Sequence, residues 1–456
     1  MSTTQQSPNV SIPDLQGDLI GPDDSRYDEA RQVFLKGIDR RPAAVARVAN
    51  AQDVAKVVTA ARDDGLRLAV RSGGHSRAGY GTTDGGLVID LSQMKALDIN
   101  VDEKTAWVET GATAGEYTNA TGEHGLVTGL GDAGSVGIGG ITLAGGIGFL
   151  VRKNGLTIDD LLAADVVTAD GEVVRASEDS EPDLFWGIRG GEGNFGVVTR
   201  LQLRVHEISE IVGGMLILPA SPEVITGFLE AADAAPDELS TIANVMLAPP
   251  MPFIPEDAHG QPILMSQMAY VGPVDQADEV LAPFRVLAEP YVDMLRPMRY
   301  PELYDGPEQE AMFASGANFF TESLEPAGAE AILEQLPRST AMVKAVQLRV
   351  LGGGLARVAN DATAFGHRDS GLFVNVAAMY ADGGEKPTHD AWVNGVAETL
   401  GQDGAGGYVG FLGEEDEATL RAAYPGGTWD RLRELKGRYD PDNLFRLNHN
   451  IPPVTQ

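Results

Sequence analysis

Glycine is concentrated in one stretch: residues 71–148 hold 19 of the 55 glycines in a chain of 456. A segment so rich in glycine is dominated by loops, where the backbone takes positive φ or approaches a neighbour with no Cβ in the way. The excess has no G-X-Y period, which excludes a collagen-like chain. Two clusters stand out: Ser72-Gly-Gly-His-Ser76 with Gly79 and Gly81, and Gly129 through Gly148. Exposed amide N–H groups in such loops form nests for anions. Two nests about 60 residues apart can hold the two ends of one large phosphate-bearing ligand.

Around these clusters the chain alternates between helix and strand. Asn50 can cap a helix whose Val54, Val57, Val58 and Ala61 share a face, with Gly65 ending it. Leu66, Leu68 and Val70 then alternate as a strand that runs into the first glycine cluster. Further strands are expected at 87–91 and 106–109, a hairpin over 164–177 turned by Asp170-Gly171, and a long strand over 196–206. Residues 1–20 read as a loose lead-in. From Ile208 the texture changes. Strands of one sheet at 213–218, 242–248, 264–271, 343–351 and 371–380 alternate with helices near 222–234, 275–288, 327–336 and 389–400. The pattern is α+β. It predicts one domain from 1–206 and 405–456, with its core at about 38–206, and a second from 207–404.

Composition removes several classes of function. The chain has no cysteine, hence no disulfide scaffold, no zinc finger and no cysteine nucleophile. Its formal net charge is −32, which repels nucleic-acid phosphates and anionic lipids, so neither nucleic acid nor membrane is an expected partner. The polar start, Met1 to Ser11, lacks the basic and apolar regions of a secretory leader, which argues for the cytoplasm.

Three motifs compete for the site. Gly129-Leu-Gly131-Asp-Ala-Gly134 matches G-x-G-x-x-G, but no acidic residue ends a second strand about 20 positions on, and the dinucleotide fingerprint fails. Ala133-Gly-Ser135-Val-Gly137 lacks the first glycine and the feeding strand of a nucleophile elbow. No two of the seven histidines have metal-ligand spacing, so no metal is expected. His75 differs from the other six. It sits at a strand end inside the first glycine loop, where an imidazole can act as base or as the nucleophile that tethers a cofactor.

Taken together, Arg71-Ser-Gly-Gly-His75-Ser76, Gly134-Ser-Val-Gly-Ile-Gly-Gly140 and Gly145-Gly-Ile-Gly148 resemble the FAD-linked oxidases of the vanillyl-alcohol oxidase and p-cresol methylhydroxylase type. Asp183-Leu-Phe-Trp-Gly-Ile-Arg-Gly-Gly-Glu-Gly-Asn-Phe-Gly-Val-Val-Thr199 and the tail Tyr439–Ile451 place the resemblance in the berberine-bridge-enzyme-like branch, near its nicotine-oxidase group. It runs from about Asp23 to Ile451. The resemblance implies a two-domain FAD-binding fold with an antiparallel-sheet-plus-helices cap over the substrate, and a berberine-bridge-like segment at about 407–452. It implies FAD bonded covalently through His75. Arg71, Ser72, Gly73, Gly74, Ser76, Gly79 and Tyr80 would wrap the pyrophosphate and ring edge. Gly134, Ser135, Gly139 and Gly140 would line the flavin, Gly145 would support the turn, and Val198 would meet the adenine end through its backbone. Asn448 and Asn450 would close over the ring.

Departures from the family pattern carry chemistry of their own. Ala133 stands where many relatives bond the flavin a second time through cysteine, so the resemblance implies a single attachment. Valine at position 136 accompanies oxygen access in the family, which favours O2 as the electron acceptor. Gln347, Arg349 and Leu351 share one strand face where nicotine-type relatives carry three ionisable groups, which speaks against a nicotine-type substrate. Tyr408 opens Tyr-Val-Gly410, where many relatives have Tyr-x-Asn. The expected activity is oxidation of a C–H beside an amine or hydroxyl of a small molecule, with Gln347, Arg349 and Tyr408 as candidate catalytic residues and hydrogen peroxide as co-product. A dehydrogenase using another acceptor, or a silent flavin-binding module, is the alternative. The expected state is monomer or homodimer.

Overall fold

The computed structural model describes residues 10–305, 311–401 and 406–454. Residues 1–9 of the expected lead-in, and the 404/405 boundary between the two expected domains, lie outside them.

The first layer is a four-stranded sheet in the order Asp18–Ile20, Ala44–Arg47, Leu87–Asp90, Leu68–Arg71. The last three strands are parallel, and the helix Ala51–Asp63 covers them. Asn50 caps that helix from an extended conformation, its side chain accepting from the Asp53 N–H at 2.9 Å. Val54, Val57, Val58 and Ala61 are fully buried on one stripe, as the spacing requires. The strand Leu68–Arg71 therefore emerges at a fixed place, and the residues after it form the first glycine loop.

The lead-in is not loose throughout. Asp18–Ile20 pairs antiparallel with Ala44–Arg47, and the Gln16 and Gly17 N–H groups donate to the Asp53 carboxylate at 3.0 and 2.8 Å. Three residues are too few to show a hydrophobic period, and the anchor joins a buried carboxylate to the burial of Ile12 and Ile20.

A second, five-stranded antiparallel sheet runs Leu97–Asn100, Thr105–Glu109, Val197–Arg204, Leu161–Val167, Val173–Ser177. The last two strands are the hairpin expected at Asp170-Gly171. The second glycine cluster lies between these sheets, with the short helix Ile138–Ala144 in its middle.

The third layer is an eight-stranded antiparallel sheet formed by residues 211–380. The helices Pro222–Ala234, Ala277–Arg285, Pro326–Gln335 and Lys386–Leu400 pack on one of its faces through Ile225, Phe228, Leu281, Ile332, Val393 and Val396. The strand Phe313–Thr321 on its edge was not expected from the sequence, because Ser315, Gly316 and Asn318 interrupt the apolar alternation. The other face of this sheet looks back at the glycine loops. The segment from 406 onward returns to the first domain, where Tyr408, Leu412, Leu420, Trp429 and Leu432 join its core.

Candidate active site

The two glycine clusters meet. A Cβ on Gly73 would lie 2.2 Å from the Gly137 nitrogen, and one on Gly137 would lie 2.1 Å from Ser72 Oγ. Only glycine at both positions permits so close an approach. The Ser72 hydroxyl donates to the Thr110 carbonyl, and the Thr110 hydroxyl donates to the Val198 carbonyl at 2.7 Å. One chain of hydrogen bonds thus ties the first loop to the second sheet. A cleft of about 350 Å³ opens beside the loop, lined by Val33, Phe34, Ser72, Gly73 and Gly74 among others.

His75 projects from this junction. Its ring stacks on Phe34 with centroids 4.0 Å apart and planes 18° from parallel. Burial lowers its pKa, partly offset by a hydrogen bond with the Ser135 backbone. The imidazole is therefore neutral near pH 7 and keeps the lone pair that a nucleophilic tether requires. The Arg71 guanidinium faces the other way, donating to the Gln32 and Ala30 carbonyls and pairing with Asp90 at 2.9 Å. That side chain secures residues 30–32, and Arg71 has only its backbone to offer to phosphates. Ser76 accepts from the Tyr80 N–H at 3.3 Å, and Gly79 donates to the Ser76 carbonyl, which closes the turn.

In the second cluster the glycines divide into two groups. Gly134, the exposed Ser135 and Val136 form a ledge whose carbonyls at 134 and 136 accept from Gly115 and Ala114. Gly139 sits 3.0 Å, through a built Cβ, from Thr110, whereas Gly140 faces open space. Gly145, at φ +140°, would press a Cβ to 3.2 Å from the Tyr408 ring. Gly146 and Gly148 are crowded by Thr157 and by the Leu130 carbonyl. Much of the glycine after 144 thus serves packing rather than ligand contact.

The tail closes the other side. Asn194 accepts from the Ile451 N–H at 3.0 Å and donates to the His449 carbonyl at 3.2 Å, and His449 Nδ1 lies 2.9 Å from Glu192. Tyr80 meets the His449 ring edge-on at 5.4 Å, and burial pushes the Tyr80 hydroxyl up to about 12. Asn448 Nδ2 donates to the Phe445 carbonyl at 3.1 Å, and Asn448 and Asn450 flank His449. Their side-chain oxygens are buried and have no hydrogen-bond partner. Buried acceptors of this kind call for a donor.

The cap supplies a polar wall. Asn318, Asn375, Gln347 and Asn244 stand directly opposite one another on four adjacent strands, forming one row across the sheet. Gln347 donates to Asn244 at 3.2 Å and accepts from Arg349 at 2.9 and 2.7 Å. Arg349 is buried and also donates to the Ile147 carbonyl at 2.8 Å and to Asp132 at 2.6 Å. Four hydrogen bonds thereby hold the side chain, which acts to position Gln347 and the 132–147 loop. Asn318 accepts from the Tyr408 N–H at 2.6 Å. The Tyr408 hydroxyl accepts from the Gly146 N–H at 2.8 Å inside a cage of Phe365, Phe373 and Phe411. Burial raises its pKa, so it carries its proton at neutral pH.

The structure brings His75, the glycine ledge, Tyr408, Gln347, Arg349, Asn448 and Asn450 to one region. Val198 lies behind Thr110 with its carbonyl engaged. Sequence reasoning missed Asp132, Asn194, Glu192 and the row partners Asn244, Asn318 and Asn375. The available signal was one amide in each of three strands, set among apolar residues most plainly at Asn375.

Paired glycine loops, a neutral histidine at their junction and unsatisfied buried amide oxygens opposite are what a bound dinucleotide with a polar ring would fill. Comparison with known proteins agrees. Residues 42–177 match the FAD binding domain family, and residues 407–452 match the berberine and berberine-like family. The chain is 31% identical to (R)-6-hydroxynicotine oxidase of Paenarthrobacter nicotinovorans, over 96% of this chain and 97% of that protein. It is 30% identical to the FAD-linked oxidoreductase YgaK of Bacillus subtilis (strain 168), over 96% and 98%. The crystal structure of 6-hydroxy-D-nicotine oxidase from Arthrobacter nicotinovorans superposes with a TM-score of 0.83 at 29% identity, covering 96% of this chain and 98% of that one. The chain belongs to the berberine-bridge-like family of FAD-linked oxidoreductases.

Proposed function

We propose that the protein is an oxidase that carries FAD on a single covalent bond to His75 and oxidises a polar small molecule at a C–H beside an amine or hydroxyl. The balanced reaction takes two electrons and two protons from the donor, converting H–C–OH to C=O or H–C–NH to C=N, and reduces O2 to H2O2. The cofactor, when bound, supplies the two-electron acceptor that amino-acid side chains lack. The 72–76 loop and the 134–140 ledge would offer backbone N–H groups to its phosphates, and Asn448 and Asn450 would hold its ring through their unpaired side-chain oxygens. The observation that carries this reading is the contact of Gly73 with Gly137, which sets the two loops around one ligand with His75 between them.

The chain's own residues then divide the work. Tyr408, protonated and fixed by Gly146, is the hydroxyl beside the reacting carbon. Gln347 is oriented by Arg349 and Asn244 and presents a rigid amide wall. Ala133 leaves no thiol for a second bond.

Acid-precipitated protein should remain yellow, and His75→Ala should release its flavin into the supernatant. Free flavin from the wild type would refute the covalent bond. After anaerobic photoreduction, mixing with air should restore the oxidised spectrum within seconds with stoichiometric peroxide. A reduced spectrum that persists for minutes would refute the oxidase and favour a different acceptor.

A further inference from the structure

Arg77 has a charge that the described protein does not balance. It lies two residues beyond His75, and its guanidinium approaches the Phe411 ring at 5.0 Å, while that of Arg349 approaches the same ring at 5.3 Å. Two cations therefore share one aromatic ring. Asp132 pairs with Arg349 at 2.6 Å. Among the described residues, Arg77 has no carboxylate within ion-pair distance. Among those residues its one hydrogen bond goes from Nη1 to the neutral Asn375 oxygen at 3.2 Å.

The site is shaped for that side chain. A Cβ on Gly316 would fall 2.2 Å from Arg77 Nη1, so a residue with any side chain there would displace the guanidinium. Arg77 is deep in the molecule, yet it keeps accessible surface, as do Asn244 and Gln347. Arg77 reaches the amide row through Asn375, and Gln347 and Asn244 continue that row on the same face of the sheet. Burial, and then the like charge of Arg349, pull the Arg77 guanidinium down to about 10, with Asp132 partly offsetting them. It still carries its proton at neutral pH. A buried cation without a counter-ion is destabilising unless something supplies the charge and the acceptors. A guanidinium offers five donors in a planar fork suited to a carboxylate.

We propose that Arg77 anchors a carboxylate on the substrate, and that this protein oxidises an organic acid bearing an amine or hydroxyl rather than a neutral alcohol or amine. The proposal rests on the flavin-oxidase reading above. The anchor takes part in no redox step. It fixes one end of the donor while Asn375, Gln347 and Asn244 meet the polar groups along its length, all on the face opposite the helix-packed core.

Calorimetric titration of the holoprotein tests this with benzoate and D-glucuronate against their uncharged counterparts benzamide and D-glucose. At least one carboxylate should bind about tenfold or more tightly than its counterpart, as expected for a charge-assisted bidentate contact. In Arg77→Gln the preference should fall to about twofold or less, and Arg77→Lys should retain part of it. The flavin spectrum should shift on carboxylate binding to the wild type and not to Arg77→Gln. Equal binding of charged and neutral probes would overturn the proposal, as would an undiminished preference in Arg77→Gln. Loss of flavin in Arg77→Gln but not in Arg77→Lys would overturn it too, by assigning the charge to the cofactor. A wild-type protein purified without yellow colour would instead defeat the underlying flavin reading, and its calorimetry would still report on the carboxylate.

Discussion

Replacing Lys436 with methionine should detach the tail that closes the active site. Lys436 lies in the helix Thr428–Tyr439, is fully buried, and donates to the Asn194 carbonyl at 2.8 Å, the Phe445 carbonyl at 2.8 Å and Asp440 at 2.7 Å. Asp440 is equally buried and accepts from the Leu444 and Phe445 N–H groups at 2.8 Å each. Methionine fills a similar volume but leaves a buried carboxylate without its cation and the Asn194 carbonyl without a donor, while the Phe445 carbonyl keeps only Asn448 at 3.1 Å. Breaking one side of a buried pair costs about 3–5 kcal/mol. For a domain of 150–250 residues that is about 6–20 °C of Tm. The loss should fall on the segment carrying Asn448 and Asn450, so flavin fluorescence should rise well below the temperature at which the cap unfolds. Thermal melts followed by flavin fluorescence and by far-UV circular dichroism separate the two events. The double variant K436M/D440L removes the orphaned charge and should recover part of the stability, though the Asn194 carbonyl and the Leu444 and Phe445 N–H groups stay unsatisfied. A Lys436→Met protein within about 1 kcal/mol of wild type would refute the reasoning, since so small a loss is ordinary for an exposed site.

Gly137→Ala should lower the flavin-to-protein absorbance ratio, because its Cβ would meet Ser72 and Gly73 at about 2 Å and overpacking of this kind costs ~1–3 kcal/mol. Gly395→Ala, in a helix with open space around it, serves as the tolerated control. The His449–Glu192 pair predicts a pH dependence. Burial alone would lower the His449 pKa, but Glu192 and the Gly413 carbonyl outweigh it and raise the value above 6.5. The stabilisation is thus complete below pH 6.5 and is lost as pH rises through the folded value. The Tm difference between wild type and Glu192→Gln should shrink between about pH 6 and pH 9, and a difference independent of pH would contradict the assignment.

Much of the fold was legible because its elements repeat a local period. The stripe Val54, Val57, Val58, Ala61 and the cap at Asn50 are contained within 12 residues, and the helices of the second domain show the same regularity. The first glycine loop was legible for another reason: a histidine among glycines at a strand end has few structural uses. What escaped was whatever depends on pairing over long separations. Asn244 and Gln347 are neighbours only because two strands about a hundred positions apart in sequence align in one register. Each amide by itself looked like an imperfection in an apolar strand. Arg77 sat in plain view beside His75, but its significance comes from Gly316 and Phe411, which no local pattern links to it. The edge strand Phe313–Thr321 was hidden by the same site residues, Gly316 and Asn318, that make it useful.

The amide row also bears on how such an enzyme can change over time. Each of its four positions belongs to a different strand, and the residues flanking it along each strand point into the opposite, helix-covered face. A substitution at Asn244 or Asn375 alters this face at one point and leaves the packed layer behind it untouched, whereas a change at Asn318 or Gln347 also removes the partner of the buried Tyr408 N–H or of Arg349. The face can therefore be rewritten most freely at Asn244 and Asn375, while the close contact of Gly73 with Gly137 permits almost no change.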